Sequence, residues 1–390
     1  MEIDVGSEKY NMKYILLWTT VNNSLSNIGD GQTPFIDHAC LYTNCFLTTD
    51  KYLLNEDYIN FDALIFDVND LRNWNEMTFP ETRSLHQKYI FHSDTSSYDA
   101  PICNYIADNY FNWTWTYKLN SDIVNPFIEI KDFEGNVLAP KESVAWESNI
   151  TEVTEEEIKF FKEKRKTMAW IVSKCNTVND RMMFAKMLRS AFQKNSLVFD
   201  IYGCGYLECP KGGCLEIIKK EYYFYFAAEE SNTEDYVTDE VITAYSNYAV
   251  PIVFGGANYS KFLPQGSYLN ARSTGFEQLI ALIQYILKNP EIYYHFHRWR
   301  KHYTINKTER YKGICEICAY LNDEGKFKTV SIKEDFRKWW YSGILFQRCI
   351  PKEFSMAAFS SDWLAYRRDR LFAYSGALCS DPTSLLRYAK

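Results

Sequence analysis

The sequence lacks any apolar run long enough to cross a membrane. A spanning helix needs about 18 or more consecutive apolar residues, and no stretch of the 390 residues approaches that length. No signal peptide is visible either. Basic residues are fewer than acidic ones, with 43 Lys and Arg against 50 Asp and Glu and a net charge of −7. Because binding to a phosphate backbone needs a basic face, this balance argues against nucleic acid as a partner.

Patterns typical of metal sites are weak. Cys315 and Cys318 form a single CxxC with no second pair or nearby histidine, which makes a poor zinc site. His295, His297 and His302 have no acidic or cysteine ligand among them, so we interpret them as part of an aromatic, basic helix end. No D-x-D motif occurs anywhere in the chain. The sequence therefore predicts no metal site.

What is present predicts a large globular protein. The hydrophobic fraction is 46% and aromatic residues reach 17%, with no segment of low complexity. A length of 390 residues is long for one domain and comfortable for two. The charged, polar stretch 140–157 makes the best candidate for a linker, and the boundary between two domains is expected between about 140 and 166.

The most informative stretch runs from 222 to 256. Residues 222–227 are an aromatic run of strand length, and residues 229–240 carry six acids and no base. An apolar stripe over 241–248 predicts a packed helix, and 252–254 predicts a buried strand closed by two glycines. This is one unit of a parallel α/β sheet, with a loop at the edge where such folds bind ligands.

The same alternation of strands and helices recurs in both halves of the chain. Further strands are predicted over 14–18, 61–66 and 87–91 in the first half and over 168–173 and 197–202 in the second. Helices are predicted after residue 181 and over 275–287. The fold class is therefore predicted to be α/β.

Several of these motifs together resemble the α1,3-fucosyltransferases. The matching residues are the aromatic run 111–123, Phe224-Tyr225, Glu229, Ser231, the segment 235–238 and the strand start 251–253. The resemblance implies two Rossmann-like domains facing across a cleft, the GT-B-like arrangement of glycosyltransferases. It places an acceptor-side domain at 1–150, a GDP-fucose-binding domain at 151–310 and a CxxC segment at 311–350. The extension 351–390 matches nothing and has no assigned role.

The resemblance also implies a donor site. The family has an arginine at Arg181 that contacts the donor diphosphate, and a cation beside a helix N-terminus suits an anion. The other implied donor-binding positions are Lys174, Glu229, Glu230, Tyr236, Thr238, Asp239 and Glu240. Three of them depart from the family, which has Asn at 230, Glu at 239 and Lys at 240. Lys174, where the family has Asn, is a candidate replacement for the lost cation.

The catalytic base is the second departure. Aligned without gaps, the family's catalytic glutamate falls on Thr95, which has no carboxylate, and Asp94 lies one position away. The family transfers fucose from GDP-fucose to a GlcNAc hydroxyl with inversion, and its partners are therefore GDP-fucose and a GlcNAc-containing glycan. The absence of D-x-D fits a metal-independent enzyme with no required cofactor. Two hypotheses stay open: an active fucosyltransferase with a rearranged donor site, and a catalytically silent paralogue that binds a glycan or a protein.

Compartment and cysteine pairing are implied in the same way. The family works in the Golgi lumen and usually carries an N-terminal membrane anchor, so either this sequence lacks its anchor or the protein is soluble. The family's disulfide at the CxxC implies a bond between Cys315 and Cys318, and Cys40 is expected to pair with Cys45. The count of 11 cysteines leaves at least one thiol free, for which Cys103 and Cys379 are the candidates.

Overall fold

A computed structural model describes residues 11–19, 25, 28–55, 57–71, 79–102, 104–147, 151–341, 350–351 and 378–379. The chain divides into two units. One contains residues 1–125, 309–340 and 379–390, and the other contains residues 126–308 and 341–378.

The described residues form β-strands and α-helices that alternate through most of the chain. The strands are β1 Lys13–Leu17, β2 Cys45–Thr48, β3 Ala63–Asp67, β4 Lys88–Ser93, β5 Trp113–Thr116, β6 Ile123–Val124, β7 Ile128–Lys131, β8 Val137–Ala139, β9 Lys166–Ile171, β10 Phe199–Tyr202, β11 Tyr222–Ala228, β12 Val250–Phe254, β13 Leu269–Asn270, β14 Thr304–Lys307, β15 Ile350–Pro351 and β16 Leu378–Cys379. The helices are α1 Thr33–Asp37, α2 Val68–Leu71, α3 Glu155–Phe161, α4 Arg181–Lys194, α5 Cys214–Glu221, α6 Glu240–Ser246, α7 Ala271–Thr274, α8 Phe276–Lys288, α9 Pro290–His295, α10 Tyr311–Asn322, α11 Glu324–Lys328 and α12 Phe336–Trp340.

The first unit is built on a six-stranded parallel sheet in the order β2-β1-β3-β4-β5-β6. Strands β1 and β3 are mostly apolar, and all five residues of β3 are buried. Parallel strands covered on both faces need that composition. Helix α10 packs on this sheet, with Ile314, Ile317 and Leu321 in the same core cluster as Ile15 and Ile90.

The second unit is built on a five-stranded parallel sheet in the order β10-β9-β11-β12-β13. Aromatic side chains fill its core. The Phe184 ring of α4 stacks 4.3 Å from Phe254, and Trp170 meets Phe226 edge to face at 5.3 Å. The predicted α/β class and the two Rossmann-like sheets are confirmed.

The units divide the chain at other places than the predicted limits of 150 and 310. The second unit begins at residue 126 because β7 pairs with β14 and β8 in an antiparallel sheet, which ties 128–139 to 304–307. Residues 309–340 belong with the first sheet, so the predicted CxxC segment is part of the first unit and not a separate piece. The predicted extension 351–390 lies almost wholly outside the described residues.

The predicted cysteine pairs are wrong. Cys40 is bonded to Cys315 and Cys45 to Cys318, so neither Cys315–Cys318 nor Cys40–Cys45 forms. The CxxC lies within helix α10, where residues three apart share one face. Both thiols therefore point towards the same neighbouring segment, and each meets its own partner there. The second unit has two further bonds, Cys175–Cys204 and Cys209–Cys214, while Cys103 and the side chain of Cys379 lie outside the described part.

We expect digestion under non-reducing conditions to give linked peptides 40–315 and 45–318. Each bond closes a loop of more than 270 residues, with sequence separations of 275 and 273. In the chain-entropy account, closing a loop of this size stabilises the fold by about 5 kcal/mol. Because the two bonds close nearly the same loop, Cys40→Ser alone should cost far less than reducing both. A peptide linking Cys315 to Cys318, found by mass spectrometry, would contradict the assignment.

Candidate functional site

Two loops of the second unit meet where adjacent parallel strands end. Strand β9 leads through residues 172–180 into α4, and β11, its neighbour in the sheet, leads through residues 229–239 into α6. In open parallel sheets this edge is where ligands bind. All eight predicted donor-site residues lie in these two loops or in the first turn of the helix that follows. The structure therefore places all eight at one edge of one sheet.

The turn after β12 packs against residues 229–239, the acidic loop. A Cβ atom at Gly256 would lie 1.8 Å from the Asn232 carbonyl oxygen, so no side chain fits there. On the other side, the disulfide between Cys175 and Cys204 ties the 172–180 loop to the end of β10. Both contacts limit how far the two loops can move.

Arg181 is the central side chain of this edge. It is 2% exposed and donates hydrogen bonds to the Ala228 carbonyl oxygen at 2.5 Å and to the Lys174 carbonyl oxygen at 3.4 Å. Its guanidinium also lies 5.4 Å over the Trp170 ring. A buried cation of this kind joins the two loops and places a fixed positive charge beneath them.

Two carboxylates approach the same guanidinium. Glu230 Oε1 lies 3.4 Å from Arg181 Nη2, and Glu240 Oε1 lies 3.8 Å from Nη1. These are two of the positions that depart from the family pattern. Lys174, the candidate replacement cation, donates to the other oxygen of Glu230 at 2.7 Å. The positive charges of the two predicted phosphate-binding residues are therefore already paired with acids of this chain.

Glu240 has a second partner, a buried side chain of β11. The Tyr225 hydroxyl donates to its Oε2 at 3.1 Å. Burial raises the pKa of Glu240 to about 7, although the nearby Arg181 charge lowers it. Near neutral pH this carboxyl therefore carries only part of its negative charge.

Glu229 is wholly buried and organises the acidic loop from within. Its carboxylate accepts hydrogen bonds from the Thr238 backbone N–H at 2.9 Å and from the Thr238 hydroxyl at 2.7 Å. Asn179 of the other loop donates to the Glu229 carbonyl oxygen at 2.8 Å. Burial raises the pKa of Glu229 to about 8. This residue and Thr238, both predicted to contact the donor, hold the loop's shape in the structure.

We expect Glu229 to stabilise the fold more at pH 5 than at pH 8. An acid with a raised pKa in the folded state stabilises the fold while it is protonated, and that contribution is lost as pH rises from its unfolded value of 4.5 through about 8 for Glu229. Glu229→Gln removes the titrating group and keeps its shape, so the melting temperature of the wild type should fall relative to that of the variant across this window. Glu277→Gln, at an exposed acid of α8, is the control and should keep the wild-type slope.

The remaining two predicted donor residues have partners elsewhere in the second unit. The Asp239 carboxylate pairs with Lys307 Nζ at 2.9 Å, and both side chains are more than half exposed. The Tyr236 ring is 7% exposed and lies 5.3 Å from the Phe127 ring. The structure thus brings Lys174, Arg181, Glu230 and Glu240 into one cluster, and places Glu229 with Thr238 in a second.

Asp94 and Thr95, the predicted base positions, follow β4 in the first unit. Asp94 is partly exposed, and its carboxylate lies 3.8 Å from Arg310 Nη2. The Thr95 hydroxyl donates to Asp94 at 3.4 Å, and the Thr95 N–H donates to the Ser93 hydroxyl at 3.1 Å. Of the two side chains only Asp94 can accept a proton at neutral pH.

Sequence reasoning missed a buried pair at the same sheet edge. The imidazole Nδ1 of His92 lies 2.7 Å from the Asp67 carboxylate, and the His92 ring packs 4.3 Å from Trp115. The partnership with His92 helps hold the pKa of Asp67 below its usual value despite burial. The sequence contained a signal for this pair, because Asp67 and His92 both lie at the ends of predicted strands. Their cross-strand register was not readable from the sequence.

Among the described residues, no helix is long and apolar enough to span a membrane. In the same part of the chain, no group of three His, Cys, Asp or Glu side chains is arranged to hold a metal ion.

Comparison with known proteins identifies the relatives of this chain. The N-terminal fucosyltransferase profile matches residues 10–128, and the C-terminal profile of glycosyltransferase family 10 (fucosyltransferase) matches residues 161–339. The chain is 30% identical over 293 residues to alpha-(1,3)-fucosyltransferase C of Drosophila melanogaster, covering 74% of this chain and 67% of the relative. It is 27% identical to glycoprotein 3-alpha-L-fucosyltransferase A of the same organism, covering 84% of this chain and 60% of that protein. A crystal structure of an α1,3-fucosyltransferase with GDP-fucose aligns at 15% identity and a TM-score of 0.47, covering 83% of this chain and 93% of the other.

Proposed function

The chain belongs to glycosyltransferase family 10, the fucosyltransferases, and we propose that it transfers fucose from GDP-fucose to GlcNAc of glycoprotein or glycolipid glycans, with inversion at the anomeric carbon. The observation that carries the proposal is the buried Arg181, which lies beneath two loops at the ligand-binding edge of a parallel sheet. Its guanidinium fork suits the departing diphosphate. Lys174, Tyr236 and Thr238 complete the proposed donor site, which needs no metal cofactor.

Glu230 and Glu240 set the conditions for donor binding. Both carboxylates lie within 4 Å of the guanidinium that the diphosphate would use. A donor anion therefore has to displace at least one of them, or find it protonated. Since the pKa of Glu240 is raised to about 7, protonating that group costs little free energy near neutral pH. The carboxylate of Glu230, already bonded to Lys174, is the stronger competitor.

Asp94 is the proposed base. The reaction needs a carboxylate to accept the proton of the acceptor hydroxyl, and Thr95 cannot serve. Asp94 is partly exposed and next to the family's base position, and Arg310 lies 3.8 Å away. Asp94 is therefore displaced by one position from the family's base and is already paired with a cation. We infer that the wild-type protein transfers fucose slowly.

A lumenal setting agrees with the cysteines. The described residues contain four disulfides, two in each unit. Bonds of this kind persist in oxidising compartments and are rare in the cytosol. We therefore place the protein in the secretory pathway, with the Golgi lumen as its proposed working compartment.

Titration with GDP separates this function from the alternative of a silent paralogue that binds a glycan or a protein. A ligand that binds the folded state raises the melting temperature by mass action, so GDP should raise it and ADP, the control nucleotide, should not. Radiolabelled transfer from GDP-fucose to a GlcNAc-terminated glycan then tests turnover. No shift with millimolar GDP would refute the donor site. A GDP shift with no transfer over hours would leave the silent paralogue as the function.

A further inference from the structure

A separate cavity of about 310 Å³ lies in the second unit near the last turn of α6. Its wall includes Tyr245 and Ser246 at the end of that helix, Tyr248 just after it, and residues 299–301 and 303–305. Helix α6 begins at Glu240, in the candidate donor site, and is seven residues long. At 1.5 Å per residue its two ends are roughly 10 Å apart. The cavity is therefore at the opposite end of α6 from the donor loops.

The lining of this cavity carries more positive than negative charge. It contains Arg300 and Lys301, and the single acid among its lining residues is Glu157. Lys301 Nζ lies 3.5 Å from the Glu157 carboxylate. That carboxylate also accepts hydrogen bonds from the Thr154 N–H and hydroxyl at the start of α3. One acid is thus shared between a helix cap and the Lys301 cation.

Two further basic groups lie behind Arg300. Burial, together with the Arg300 charge, lowers the pKa of Lys164 to about 7 and holds the pKa of His297 well below its usual range. Both side chains are 1% exposed. Near neutral pH His297 is therefore uncharged and Lys164 only partly charged, so Arg300 and Lys301 are the cations of the cavity. An anion bound in the cavity would be attracted by those two charges.

Aromatic rings form the rest of the wall. The Arg300 guanidinium lies 4.3 Å over the Tyr248 ring and 4.8 Å over that of Trp299. The Trp299 indole N–H is buried without a hydrogen-bond partner in the described part of the chain. Aromatic walls with a few polar groups are typical of cavities that bind ring-shaped small molecules. A volume near 300 Å³ is at the small end of that class.

We propose that this cavity binds a carboxylate-bearing sugar residue, with the carboxylate at Arg300 and Lys301 and the sugar ring against Tyr248 and Tyr303. Arg300 Nη2 already donates to the Tyr245 carbonyl oxygen, and its Nε donates to His297 Nδ1 at 3.4 Å. Arg300 therefore offers the carboxylate its charge and its remaining N–H groups, and Lys301 adds a second donor. Because the aromatic side chains of the wall offer flat surfaces for a ring to pack on, the ligand should itself be a ring and not a bare anion. This site does not depend on the fucosyltransferase activity, because it shares no residue with the donor site.

Isothermal titration of the full chain with glucuronic acid, glucose and inorganic phosphate tests the proposal. Glucuronic acid should bind, and glucose and phosphate should each bind at least tenfold more weakly. Lys301→Gln should weaken glucuronic acid binding about tenfold or more, the usual loss for one charge-assisted hydrogen bond. Lys220→Gln, which breaks an exposed ion pair with Glu216 outside the cavity, is the matched control and should bind as wild type does.

Ser246→Trp provides a second variant that alters no charge. Ser246 is exposed at the end of α6 and lines the cavity, so an indole there should fill it and abolish binding. Equal binding of glucose would show a neutral sugar site, and equal binding of phosphate would show a simple anion site. Either result, no binding of glucuronic acid, or full binding by both Lys301→Gln and Ser246→Trp would overturn the proposal.

Discussion

Replacing Arg181 by methionine is expected to lower the melting temperature of the second unit by roughly 6–12 °C at neutral pH. Removing one partner of a buried ion pair costs about 3 kcal/mol or more, because the other charge is left without compensation. For a unit of this size each kcal/mol corresponds to about 2–4 °C. Here the groups left behind are Glu230 and Glu240, together with the carbonyl oxygens of Ala228 and Lys174.

The loss should be smaller at pH 5 than at pH 7.5. Without the arginine the pKa of Glu240 rises further above its already raised value of about 7, so at pH 5 this carboxyl is neutral and needs no partner. Arg189→Met is the matched control, since Arg189 lies on the same helix α4 with its guanidinium 5.3 Å over the Tyr206 ring. Scanning calorimetry at both pH values gives the comparison. An unchanged melting temperature in Arg181→Met would show that the arginine does not hold the two loops.

Fucose transfer is expected to rise by about 10²–10⁴-fold when Thr95→Glu is combined with Glu240→Lys. A positioned general base contributes a factor of this size, and Thr95 stands where the family has its base. In the proposed donor site, changing Glu240 to lysine would replace a repulsion of the diphosphate with an attraction. A single charge pair at ~4 Å is worth about 4 kcal/mol at an effective dielectric near 20, an upper limit for a half-buried site. The measurement is initial rate of transfer from GDP-fucose to a GlcNAc-containing acceptor.

Glutamine at position 240 is a less disruptive change than lysine. A lysine at 240 would stand close to Arg181, where Glu240 now lies 3.8 Å from the guanidinium, and so would repel it. Glu240→Gln removes the competing charge, and keeps an acceptor for the Tyr225 hydroxyl. We expect Thr95→Glu with Glu240→Gln to fold better and to gain activity. Glu277→Lys, on the exposed first turn of α8, controls for net charge. Rapid turnover by the wild type, with no gain in either double variant, would contradict the prediction.

The sheets could be predicted because their signals are local. The apolar runs near residues 14–18, 61–66 and 252–254 lie within one or two residues of β1, β3 and β12 as the structure has them. A strand buried on both faces must be apolar along its whole length, so its sequence reports its environment directly. The loops that join strand to helix could be placed at one sheet edge for the same reason.

Pairings between distant segments could not be predicted in the same way. Cys315 and Cys318 are close in sequence, yet their partners lie more than 270 residues away, on segments that only the packing of α10 brings near. The contact of His92 with Asp67 depends on the register of β4 against β3, which sequence spacing does not specify.

The sequence by itself determined the α/β class, the position of the acidic loop and the identity of the charged residues around the candidate donor site, because composition and periodicity along the chain carry that information. Only the tertiary structure decided what those charges do. Glu230 and Glu240 stand where the family has Asn and Lys, and they prove to be paired with cations of this chain, Glu230 with Lys174 and Arg181 and Glu240 with Arg181. An acid beside a bound anion repels it, whereas an acid beside a cation neutralises that cation. Which of the two occurs depends on a few ångströms, and that separation is set by how two strands, two loops and two helices pack together.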